Sequence, residues 1–279
     1  MFSIHLQKLP VLFSCLILLL PLQGSAQTLS RGLTLSDYSG QSQVKLSLPM
    51  IPNGDEFIMA PILGARLGRG SWSLGLQLPL AFILSEEDAD EFIMGNPTVD
   101  VELHDCTTGD WRLCYGGRLS AGAGLFDLGD DVDSGFDGMQ GPEPSSDAYP
   151  IYQRVVVRPS GMIGVEHRKF FAHLELGPSF WIPWYSTDDE GLDTKLLLHG
   201  QLALGFHISD LITPVMELRG VLPVTEDDMD PWLWFNAGVR LHMDRFEPSL
   251  RVSLPLTDYA DGQRDDSPLH VEIAASYLF

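Results

Sequence analysis

The sequence is poor in positive charge, in cysteine and in long apolar runs, and each shortage excludes something. There are 17 lysines and arginines against 38 aspartates and glutamates, a formal net charge of −21, and a chain this acidic repels nucleic-acid phosphates. Nucleic acid is therefore excluded as a partner. With 3 cysteines there is no disulfide-built scaffold, and the absence of a C-x-x-C spacing argues against redox chemistry. Beyond the N-terminus, no apolar stretch is long enough to cross a membrane as a helix.

The N-terminus has the layout of a secretory signal: Lys8, the apolar Leu9 to Leu22, and the small residues Gly24-Ser25-Ala26 before Gln27. Residues 1–26 are read as a signal peptide, 27–41 as a periplasmic lead-in and 42–279 as the folded body. Lipidation at Cys15 would cut the apolar core of the signal in half, which argues against it. The signal carries one formal charge, Lys8, so the acidic excess belongs to the mature chain.

In the body the apolar residues recur every second position. In the last stretch Leu269, Val271, Ile273, Ala275, Tyr277 and Phe279 share one face of an extended strand, and His270, Glu272, Ala274 and Ser276 share the other. The same reading gives twelve strands, at 42–50, 57–67, 71–83, 96–104, 111–126, 152–166, 170–183, 194–207, 213–222, 232–243, 246–256 and 268–279. Short connections at 68–70, 105–110, 167–169, 208–212 and 244–245 alternate with connections that are mostly longer. That is the pattern of a barrel with short periplasmic turns and long external loops, and it puts both ends of the barrel on the periplasmic side. Aromatic residues near strand ends, among them Trp72, Trp111, Phe170, Phe246 and Phe279 below and Phe57, Phe82, Phe126, Trp184 and Trp232 above, suit the two membrane interfaces.

Tyr277 and the terminal Phe279 resemble the carboxyl-terminal signature of bacterial outer-membrane β-barrel proteins, of the porin-like or transporter type. The resemblance implies an all-β transmembrane antiparallel up-and-down barrel in the bacterial outer membrane. It also implies recognition of Tyr277 and Phe279 by the barrel-assembly machinery, and contact with membrane lipid and lipopolysaccharide. A soluble β-sandwich is the alternative fold, but the charged inner face of strand 96–104 (Asp100, Glu102, His104) would not suit a sandwich core.

Alternation sends Arg66, Glu102, Arg112, Arg118, Arg154, Arg158, Glu175, Arg219, Arg240, Arg251 and Glu272 into the lumen. Two readings follow: a narrow passive channel for small solutes, its arginines selecting anionic or polar ones, or a closed barrel filled by mutual ion pairs that displays its loops for surface interaction or envelope integrity. Inward glycines at 75, 116, 122, 124, 164, 177 and 205 are expected to leave space and favour the channel. Trp181, Trp232 and Trp234 also point inward near the external mouth.

If Cys106 lies opposite Cys114, the same register sets Glu102 opposite Arg118 and Val101 opposite Leu119. One register satisfies all three pairs, so a Cys106–Cys114 disulfide is expected at the periplasmic rim. Acidic residues concentrate in the proposed external loops, at 86–91, 127–137, 188–190, 226–230 and 258–266. A solvated rim is the plain reading, and Ca²⁺ bound by these carboxylates is the sharper one; no other cofactor is indicated, and the metal ligands are unknown. The pair His207 and Ser209 could suggest a lipid hydrolase, but alternation puts His207 in the lumen at the periplasmic end, away from the outer-leaflet substrate. No enzyme is expected.

Overall fold

A computed structural model of the chain describes residues 42–53, 56–59, 61–85, 91–94, 97–123, 154–183, 194–225, 231–257 and 269–279. The signal peptide, the lead-in and, apart from Glu91, the acidic loop stretches lie outside the described residues, as do Phe126 and Trp184.

The extended segments are β1 (Gln43–Asn53), β2 (Glu56–Met59), β3 (Ile62–Arg69), β4 (Trp72–Ser85), β5 (Glu91–Met94), β6 (Thr98–Cys106), β7 (Trp111–Ala123), β8 (Arg154–His167), β9 (Phe170–Pro183), β10 (Lys195–Phe206), β11 (Ile212–Pro223), β12 (Trp232–Leu241), β13 (Phe246–Pro255) and β14 (His270–Leu278). They make twelve barrel strands, because β2 with β3 and β5 with β6 are each two pieces of one strand. β2 and β3 pair with β1 and β4 in one unbroken register. Between β5 and β6 the register slips: Gln77 faces Thr98 and Leu80 faces Met94, so three steps on β4 oppose four on its neighbour. The slip of one residue falls just before β6, next to Pro97, which cannot donate to the ladder.

Every neighbouring pair is antiparallel, and β14 pairs with β1 from Gln43↔Leu278 to Met50↔Val271, which closes the sheet. The amide of Phe279 donates to the Ser42 carbonyl at 3.0 Å, so the chain end is part of that seam. Closure leaves no open edge, the condition for a sheet to span a bilayer. Register accumulated around the ring amounts to about 14 residues, which tilts the strands by about 40° to the barrel axis.

The periplasmic turns are as short as expected. Arg69 pairs with Trp72 and His167 with Phe170, leaving two residues in each turn, and Met243 bridges Phe246. Gly70 at φ 61°, Arg168 at 55° and Asp244 at 55° supply the left-handed backbone these turns need. The first external connection corrects the sequence reading. β1 and β2 run on as a hairpin as far as Asn53↔Glu56, so this link is as short as a periplasmic turn.

Candidate functional site

Alternation determines which side chains meet lipid and which meet the lumen. Leu74, Leu76, Val99, Val101, Leu119, Leu176, Leu198 and Leu218 are exposed on the outer surface, whereas Asp100, Glu102, Glu217 and His173 are buried inside. A water-soluble domain shows the reverse. Trp72, Trp111, Tyr115, Phe170, Phe206, Phe246 and Tyr277 are exposed near the periplasmic ends of their strands, where an interfacial girdle belongs.

Inside, the charges are joined in networks. Arg66 donates from Nη2 to Asp100 Oδ2 at 2.8 Å and from Nη1 to Glu102 Oε2 at 2.6 Å and Ser73 Oγ at 3.1 Å. Arg118 continues the chain, 3.5 Å from Asp100 and 4.0 Å from Glu175. Glu175 also accepts from Ser160 Oγ at 2.7 Å and lies 4.0 Å from His199 Nε2. A second network sits beside it on the closing seam: Arg251 pairs with Glu272, its register partner, while Ser47 Oγ donates to Glu272 at 2.6 Å and Lys45 approaches to 4.0 Å. Lys45 and Ser47 were not singled out from the sequence, though both lie at inward positions of β1.

At the periplasmic mouth, Thr213 Oγ1 bonds His207 Nδ1 at 2.7 Å and His242 Nε2 at 2.9 Å, and His242 Nδ1 bonds Glu247 at 2.9 Å. Glu166 lies 4.0 Å from His207 and 3.9 Å from Arg112. Burial lowers the His207 pKa below the ordinary histidine value, His242 and Arg240 push the same way, and Asp210 opposes them. Ser209 is not brought to His207; its hydroxyl instead accepts the Leu211 amide at 3.3 Å. Cys106 and Cys114 are disulfide-bonded, with Glu102↔Arg118 and Val101↔Leu119 in the same register.

Of the proposed lumen residues, Arg66, Glu102, Arg158, Glu175, Arg219, Arg240, Arg251 and Glu272 are buried inside the barrel, and Arg112 and Arg118 are partly exposed there. Arg154 is placed by its backbone opposite Pro183; its side chain, like those of Phe57, Phe82 and Trp232, lies outside the description. Four of the inward glycines correct the expectation of open space. A Cβ at Gly75 would meet the Asp100 carboxylate and one at Gly205 would fall on the Phe171 ring, so neighbouring side chains already occupy those gaps. At Gly116 and Gly177 the backbone of the adjacent strand comes equally close, and Gly124 lies outside the described residues.

Two apolar clusters also line the lumen. Val156, Trp181, Leu197 and Val221 pack together toward the external mouth, and Phe171, Ala203 and Val215 toward the periplasm. The Trp234 and His270 rings meet at a tilt of 33° with centroids 5.0 Å apart. Trp181 and Trp234 are buried inside as alternation predicts, and the aliphatic members of both clusters occupy inward positions of the same pattern. Among the described residues no group of three or more His, Cys, Asp or Glu is arranged to hold a metal ion. The acidic stretches considered for Ca²⁺ lie outside the described residues.

No protein-family model and no curated protein matches this sequence. Solved structures do. An outer-membrane channel from Pseudomonas putida F1 superposes with a TM-score of 0.59 at 11% identity, covering 92% of this chain and 99% of its own. A NanC porin gives 0.56 at 10% identity, covering 84% and 98%. At such identities the likeness establishes the fold alone, a closed twelve-stranded antiparallel barrel like those of these outer-membrane proteins. The apolar outer belt independently requires a lipid surround, and together they place the chain in the bacterial outer membrane.

Proposed function

We propose that this barrel is a narrow passive channel for small solutes. The observation that carries the reading is the sorting of charge. Although the chain is strongly acidic, its few basic residues gather at lumen positions (Arg66, Arg118, Arg158, Arg219, Arg240, Arg251) and on or beside periplasmic turns (Arg69, Arg168, Lys169, Arg245), while the acid is concentrated in sequence stretches between strands on the external side. Burying so many cations in an otherwise inert wall is costly. Lining a polar path through the membrane gives them a use.

The test is planar-bilayer current from refolded mature protein under a salt gradient. Stable openings that favour anions support the channel. Replacing Arg118 and Arg154 by glutamine should then reduce that preference.

One observation favours a second reading. Arg66, Arg158, Arg219, Arg240 and Arg251 are all buried, as befits a closed barrel whose role is to display acidic loops for surface interaction or envelope integrity. Electrical silence from a correctly folded barrel, judged by heat-modifiable migration on a gel, selects this reading over the first. Under either reading, Tyr277 and Phe279 are the positions we assign to the barrel-assembly machinery, and lipopolysaccharide and small solutes remain the proposed partners outside it.

A further inference from the structure

Within the lumen, the apolar cluster and the charged belt lie on the same strands in a fixed order. On β8 Val156 precedes Arg158, on β10 Leu197 precedes His199, and on β11 Val221 follows Arg219. A spacing of two residues is one step along the same face, about 7 Å. Because β8 and β10 descend from the external side while β9 and β11 ascend to it, all three steps run from an apolar residue toward the outside to a polar one toward the periplasm, an arginine on β8 and β11 and His199 on β10. β9 adds Trp181 at the apolar level, with its Nε1 donating to Ser179 Oγ at 3.2 Å, and Gly177 opposite His199. Glu175 is the acid of this level, 4.0 Å from both Arg118 and His199, and the charges of Arg158, Arg118 and Arg219 all act on His199.

We propose that this two-level wall is a recognition site for small organic anions with an apolar body: a carboxylate meets Arg158 and Arg219 while the carbon skeleton lies on Val156, Trp181, Leu197 and Val221. The proposal rests on the channel reading for its physiological sense. Its physical basis is what a solute must replace. Both levels are buried, so an entering solute parts apolar contacts and ion-paired groups together. A small inorganic anion restores only the charge contacts, and a neutral apolar solute restores only the apolar ones. An amphiphilic anion restores both. The acidic external stretches repel anions generally, though salt screens this beyond about 8 Å, so selection by more than charge is needed.

Calorimetric titration of the folded mature barrel with benzoate, acetate and benzamide tests the site without requiring conduction, and chloride current is recorded in parallel. Benzoate should bind at least tenfold more tightly than either control. An Arg158→Gln/Arg219→Gln double variant and, separately, Val221→Ser should each weaken benzoate at least tenfold while retaining heat-modifiable migration. Equal binding of the three probes overturns the site, and because that comparison uses the unmodified protein, it decides the matter even if the variants do not fold. Unchanged benzoate affinity in both folded variants overturns it as well. Benzoate binding without any current removes the channel reading and leaves the site; current without benzoate preference does the opposite.

Discussion

Arg66 and Asp100 form an ion pair at 2.8 Å across a strand to which neither belongs. Arg66 on β3 and Asp100 on β6 are both register partners of Gly75, on the intervening β4. A side chain at Gly75 would collide with the Asp100 carboxylate. The missing side chain is therefore what allows the two charges to meet over the strand between them.

Gly75→Ala should displace Asp100 and destabilise the folded barrel by about 1–3 kcal/mol, the usual cost of overpacking. Arg66→Met should cost more, about 3–5 kcal/mol, because it removes the cation shared by two buried carboxylates. Urea unfolding in lipid or detergent measures both. Equal stability of Gly75→Ala and the parent would show that the pair does not depend on the gap.

The Cys106–Cys114 bond closes a loop with a sequence separation of 8. By the chain-entropy argument, replacing both cysteines with serine should lower stability by about 2–3 kcal/mol. The same shift should appear in the parent protein on adding reductant and should be absent from the serine variant. A reductant effect of equal size in both would trace to something other than this bond.

Leu176 faces outward near the middle of β9 and is 54% exposed. Arginine there would put a charge against hydrocarbon, at a cost of about 2–4 kcal/mol near the midplane. The neighbouring lumen position offers the contrast: Glu175→Gln should leave membrane insertion intact and alter ion selectivity. Normal assembly of Leu176→Arg with failure of Glu175→Gln would invert the two faces.

His207 lies just beyond β10, and its pKa is lowered, mainly by burial. The fold therefore favours neutral imidazole. Its contribution is present above the ordinary value of 6.5 and is lost as the pH falls through the lower folded value. Urea midpoints measured between about pH 7.5 and pH 5 should decline more steeply for the parent than for His207→Gln. Parallel profiles would assign the acid sensitivity to other groups.

The sequence by itself determined the barrel, because alternation with period two is local: Leu176 and Glu175 take opposite faces whatever surrounds them. It also determined the Cys106–Cys114 hairpin, since a short turn allows few registers and only one matched two other pairs. The tertiary structure decided what the inward residues do to one another. Arg66 meets Asp100 over Gly75, Phe171 fills the gap at Gly205, and Lys45 reaches Glu272 across the β1–β14 seam. These contacts depend on stagger summed over several strands and on closure of the ring, and neither is encoded within a single strand. The inward glycines illustrate the difference: the sequence shows a missing side chain, but only the assembled wall shows whose side chain takes its place.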